Sequence, residues 1–101
     1  MEIESYVNLK THSKDAPVLR CSLEENLLSF DLLYEVEAHD EVRFIGSSIR
    51  QLAIYDLIDE IGDLGIECKI EISRCNDPSV KNKVVYFKRG MNGEMKKITT
   101  E

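Results

Sequence analysis

Residues 48–73 read SIRQLAIYDLIDEIGDLGIECKIEIS, and a change of period inside this stretch decides the fold. Ser48-Ile49-Arg50-Gln51 matches a capping box, in which a serine side chain and a glutamine three residues on satisfy each other's free backbone donors. Beyond it, Ile54, Leu57, Ile58, Ile61 and Leu64 fall on one face at 100° per residue. The spacing predicts a helix over 49–61, stopped by Gly62 or Gly65. After Gly65 the period drops to two. Ile66, Cys68, Ile70 and Ile72 alternate with Glu67, Lys69, Glu71 and Ser73, which is a half-buried strand.

Working outward, residues 3–10 alternate as a strand with Ile3, Val7 and Leu9 on one side and Glu2, Glu4, Asn8 and Lys10 on the other. A polar loop ends at Pro17, and residues 18–23 read as a second strand. Ser22-Leu23-Glu24-Glu25 fits a capping box that would start a helix, but Leu28, Phe30, Leu32, Tyr34 and Val36 alternate with mostly polar neighbours, so residues 28–36 are expected to be a strand after a turn at Glu24-Glu25-Asn26. Ala38-His39-Asp40-Glu41 is a tight connection into a strand over 42–45. Residues 83–88 and 95–98 form two more strands around Asn92-Gly93, a type I′ hairpin signal. That turn places Arg89 opposite Lys96 and Lys88 opposite Lys97. The expectation is one α+β domain over residues 1–101, a mainly antiparallel sheet of six or seven short strands with one amphipathic helix packed on a face. The strand-helix-strand passage over 42–74 allows one parallel pair.

Charge is laid out unevenly. The chain of 101 residues carries 13 Lys and Arg against 19 Asp and Glu, a net charge of −6. Residues 21–65 hold eleven acids and two arginines, and residues 66–101 hold eight bases and five acids. A composition of 43% apolar and 32% charged residues describes a folded globular protein. No apolar run is long enough to span a bilayer, so no membrane partner is expected. The acidic start Met1-Glu2-Ile3-Glu4 lacks the apolar core of a secretory leader. Cys21, Cys68 and Cys75 have no metal-ligand spacing and read as reduced thiols of a cytoplasmic protein, Cys68 as a small buried hydrophobe.

No phosphate-binding glycine loop, serine elbow or zinc-binding helix motif occurs, and no catalytic residue, cofactor or metal site is assigned. Glu67-Cys68-Lys69 has the Glu-x-Lys form used by metal-dependent nucleases. It lacks an upstream acid on a neighbouring strand and reads as the wet face of a strand. His12 and His39-Asp40 lie in turns with no nucleophile beside them.

The helix offers more. Asp56, Asp59, Glu60 and Asp63 fall at i, i+3, i+4 and i+7 on the side away from its core face. Ile49 and Leu52 extend that stripe, with Tyr55 flanking it. Apolar anchors beside carboxylates are the anatomy of a protein-binding patch, although a charge run is also the ordinary solvated face of a helix. Asp31, Glu35, Glu37, Asp40 and Glu41 would widen it. The reading is a non-enzymatic protein-binding module, of the inhibitor or immunity type, whose acidic surface caps a basic protein. The basic hairpin supports an alternative, nucleic-acid binding through Lys83, Lys88, Arg89, Lys96 and Lys97. A third reading is a homo-oligomeric accessory subunit that pairs acidic and basic regions between copies.

Overall fold

The computed structural model describes residues 5–25, 31–48, 51–74 and 83–100. Along the chain these form β1 (Ser5–His12), α1 (Ala16–Glu25), β2 (Asp31–Ala38), β3 (Glu41–Ser48), α2 (Gln51–Asp63), β4 (Cys68–Arg74), β5 (Lys83–Arg89) and β6 (Met95–Thr100). The six strands make one sheet in the order β2-β3-β1-β4-β5-β6, every neighbouring pair antiparallel. The first four strands and two helices have the split βαβ connectivity, with β1 inserted between β3 and β4. Those two strands run parallel to each other but never pair, because β1 lies between them. The parallel pair allowed by the sequence is therefore absent from the described sheet.

Both helices lie on one face. Their apolar sides meet Val7 and Leu9 of β1, Val42 and Phe44 of β3, Cys68 and Ile70 of β4, and Val85 and Phe87 of β5 in one buried core. Leu19 and Leu23 come from α1, and Ile54, Leu57, Ile58 and Ile61 from α2. The predicted alternation holds for Val7, Asn8, Leu9 and Lys10 in β1 and for residues 68–73 in β4, while Glu2, Ile3 and Glu4 lie outside the described residues; Leu9 sits between Phe44 and Ile70.

Residues 18–23 are the largest departure, being helix and not strand. Asp15 is the first residue to accept a helical hydrogen bond, from the Leu19 amide at 3.2 Å. Pro17 follows in the first turn, where a missing N–H leaves no helical bond unmade. Glu24 and Glu25 end this helix and do not form a hairpin turn, while Asn26, Leu28 and Phe30 lie outside the described residues. In β2 the register shifts between Leu32, opposite Gly46, and Tyr34, opposite Ile45. This bulge changes the phase of the alternation. As a result Val36, expected in the core, is 45% exposed.

At the end of α2, Gly65 takes φ +70° and its amide donates to the Gly62 carbonyl at 3.4 Å. Gly65 is thus the helix stop, and Gly62 lies within the last turn. The hairpin of β5 and β6 closes one residue away from the expected register. The Gly90 amide donates to Glu94 and that of Gly93 to Gly90, leaving a three-residue loop with Gly93 at φ +82°. Lys88 therefore faces Lys96, Arg89 faces Met95, and Lys97 faces Phe87.

Candidate functional site

On α2, the residues between the buried ones point away from the sheet. Asp56, Asp59 and Asp63 are exposed and Glu60 is half-buried, so the acidic stripe exists as a surface. No Lys or Arg interrupts this helix. Three of the four carboxylates occupy its last five residues, where the exposed carbonyls of the helix end already make the local potential negative. Tyr55 is 41% exposed beside the stripe. Leu52 lies in the first turn, its side chain beyond what is described, and Ile49 lies outside the described residues.

The structure joins residues from two competing sequence readings. Lys83 Nζ stands 5.2 Å from the centre of the Tyr55 ring, a cation–π contact across α2 and β5. Arg89 Nη2 donates to the Gly65 carbonyl at 3.0 Å, placing a cation at the negative end of α2. Lys83 and Arg89 thus serve the helix side of the sheet, as does Lys97 by its register with Phe87. Lys88 and Lys96 belong to the opposite side. The five hairpin cations do not form one patch.

The acids expected to widen the stripe are divided as well. On the helix side, Arg20 of α1 donates a hydrogen bond to Glu35 and lies 5.8 Å from the centre of the Phe44 ring. That hydrogen bond, reinforced by the charges of Glu35, Glu37 and Glu24, holds the guanidinium above its ordinary pKa. On the other side, Glu41 binds Lys10 at 3.3 Å. Asp40 occupies the exposed turn after His39, where φ is 55°. The side chain of Asp31 lies beyond what is described.

The sheet face opposite the helices is where sequence reasoning missed most. Cross-strand register aligns Val36, Arg43, Lys10, Lys69, Tyr86 and Ile98 in a single row over all six strands. Arg43, Lys10 and Lys69 are directly opposed on three adjacent strands. Strand order makes this row, and strand order is not written in local spacing. The only available sign was that each of the three lies on the polar side of its own alternating stretch.

Beside the row, a depression of about 170 Å³ is lined by Lys10, His12, Glu41, Glu67, Lys69 and Tyr86, among others. It brings both charged members of Glu67-Cys68-Lys69 together with Glu41. Among the described residues, however, no group of three or more His, Cys, Asp or Glu is placed to hold a metal ion. Cys68 itself faces the core, and burial pushes its thiol up to about 12.

The uneven charge of the sequence has become two-sided. The charged side chains on the described outer face of α2 are all acidic. The open sheet face carries Lys10, Arg43, Lys69, Lys88 and Lys96 against Glu41, Glu67 and Glu71 among the described residues. No described helix is long and apolar enough to cross a membrane. No protein-family model, curated protein or solved structure matches the chain.

Proposed function

We propose that this chain is a small binding module, not a catalyst, and that the outer face of α2 captures a basic protein in the manner of an inhibitor or immunity protein. The observation that carries this reading is the placement of Asp59, Glu60 and Asp63 in the last five residues of α2. Each acid near a helix C-terminus opposes the helix dipole by roughly 0.3–1 kcal/mol. A face needed only for solubility would be more stable with lysines there. The exposed Asp59 and Asp63, kept against the helix dipole, fit a surface selected for binding.

In this reading the carboxylates steer a cationic partner and speed its capture. Tyr55 supplies the desolvated anchor, and Leu52 and Ile49 belong to it by sequence spacing alone. An exposed Cys21 together with the buried thiol of Cys68 fits a reducing, cytoplasmic setting.

The test is capture from host lysate with wild type and with Asp59→Lys/Glu60→Lys side by side. A basic protein retained by wild type at low salt, and lost both at moderate salt and with the folded variant, is the expected result. Equal retention by the folded variant overturns the helix-face reading.

A further inference from the structure

We propose that the sheet face opposite the helices binds single-stranded nucleic acid, with Arg43, Lys10 and Lys69 holding phosphates and Tyr86 stacking on a base. This surface shares no residue with the α2 stripe and stands or falls separately from it.

The register supplies the main argument. Like charges directly opposite one another on neighbouring strands are destabilising. This sheet nevertheless sets Arg43 against Lys10 and Lys10 against Lys69. It then sets Lys88 against Lys96 on the same face. Two such pairings in one row, with a third nearby, make a band of positive potential that a polyanion neutralises. Strands lie about 4.8 Å apart, so the row from Arg43 to Tyr86 extends about 14 Å. That is a track for a chain of charges, not a pocket for one anion.

The cations are available. The Lys10–Glu41 and Lys69–Glu71 pairs are each 3.3 Å long and solvent-exposed, and exposed pairs of this kind contribute little to stability. A phosphate can take the place of either carboxylate. Arg43, Lys88 and Lys96 have no carboxylate partner among the described residues.

Tyr86 selects the kind of polyanion. It lies in register with Lys69, beside the depression it shares with Lys10 and Lys69. An aromatic ring on a flat cationic surface gains from stacking only if bases are free to leave their own stack, as in a single strand. The net charge of −6 does not forbid this. The acids of α2 are on the far side of a helix about 10 Å across, beyond the screening length of about 8 Å at physiological salt.

The experiment is fluorescence anisotropy with a labelled oligothymidine of about 20 nucleotides, long enough for site sizes on comparable surfaces. Titrations run from about 50 to about 200 mM salt. Wild type is expected to bind the single strand, and to bind a duplex of the same length at least about tenfold more weakly because its bases cannot stack on Tyr86. Lys10→Gln/Arg43→Gln/Lys69→Gln removes three exposed charges without opening the core. It should weaken binding at least tenfold and lower the slope of log affinity against log salt by about 2, at about 0.7 per phosphate contact. Tyr86→Ala should weaken binding about tenfold while Tyr86→Phe retains it. Asp59→Lys/Glu60→Lys, which tests the α2 reading, should bind oligonucleotide at least as well as wild type.

Absence of binding at about 50 mM salt, where phosphate contacts are strong, overturns the proposal. So does a folded triple variant that binds like wild type. Sedimentation showing a self-associated form that excludes the oligonucleotide also overturns it, in favour of a second copy covering this face.

Discussion

Cys68 shows how burial alone turns a reactive side chain into packing material. Its thiol is 1% exposed in β4, and desolvation of the thiolate raises its pKa from 9.0 to about 12. The unfolded chain releases this proton near its ordinary value, whereas the folded chain holds it. The fold thus binds more protons than the unfolded state between pH 9 and 12. The contribution of Cys68 is complete below about pH 9 and is lost as pH rises toward 12. Urea unfolding of wild type and Cys68→Val across that window should show a steeper loss for wild type. Parallel curves would mean that the thiolate finds a partner in the fold. Cys21, exposed on α1, is expected to react with alkylating reagents in the folded protein.

At the scale of elements, the contact between α2 and β5 depends on a missing side chain. A Cβ at Gly62 would lie 3.0 Å from Cε1 and 3.1 Å from Cζ of Phe87. Phe87 is 5% exposed and has little room to move. Helix propensity favours alanine over glycine by about 1 kcal/mol, but overpacking a core costs about 1–3 kcal/mol. Gly62→Ala is therefore expected to destabilise the protein by about 1 kcal/mol in urea unfolding. In a Phe87→Leu background the sign should reverse, because the ring edge is gone and the propensity term remains. A stabilising Gly62→Ala in the native background would show that the ring yields.

The elements also show what local sequence can carry. β1, α2 and β4 each bury one face against the same core, so their periods were legible. α1 was obscured because its buried positions are few: Ala16, Leu19, Ser22 and Leu23. Val18, a strand former, lies on its wet side at 46% exposure. Asp15-Ala16-Pro17, an N-cap residue with proline in the first turn, was the available signal for it. The bulge in β2 has no marker in composition. The acidic stripe could be read because a helix carries its own geometry. The cationic row could not, since it needs three strands that are scattered through the chain.

For the whole molecule, the decisive fact is that β1 is central. Leu9 pairs with Phe44 on one side and with Ile70 on the other. A chain truncated after Gly65 retains both helices but leaves one edge of β1 unpaired and removes Cys68, Ile70, Val85 and Phe87 from the core. That fragment is expected to lack a cooperative unfolding transition by circular dichroism. A sharp transition would show that β1, β2, β3 and the helices form an independent unit. The two-sided charge is also a whole-molecule property, because it appears only when the sheet orders its strands.

The position of β1 also sets an order of events in time. This strand leaves the ribosome ahead of both its partners, which are made dozens of residues later. Until β4 emerges, Val7 and Leu9 cannot be sealed between neighbours, and an apolar edge remains open to other nascent chains. Distant pairings of this kind slow folding relative to a helical bundle of similar size. Rapid completion of translation through residue 74 is therefore expected to shorten this exposure, and codon choice between β3 and β4 becomes a practical lever on how much folded protein a cell accumulates.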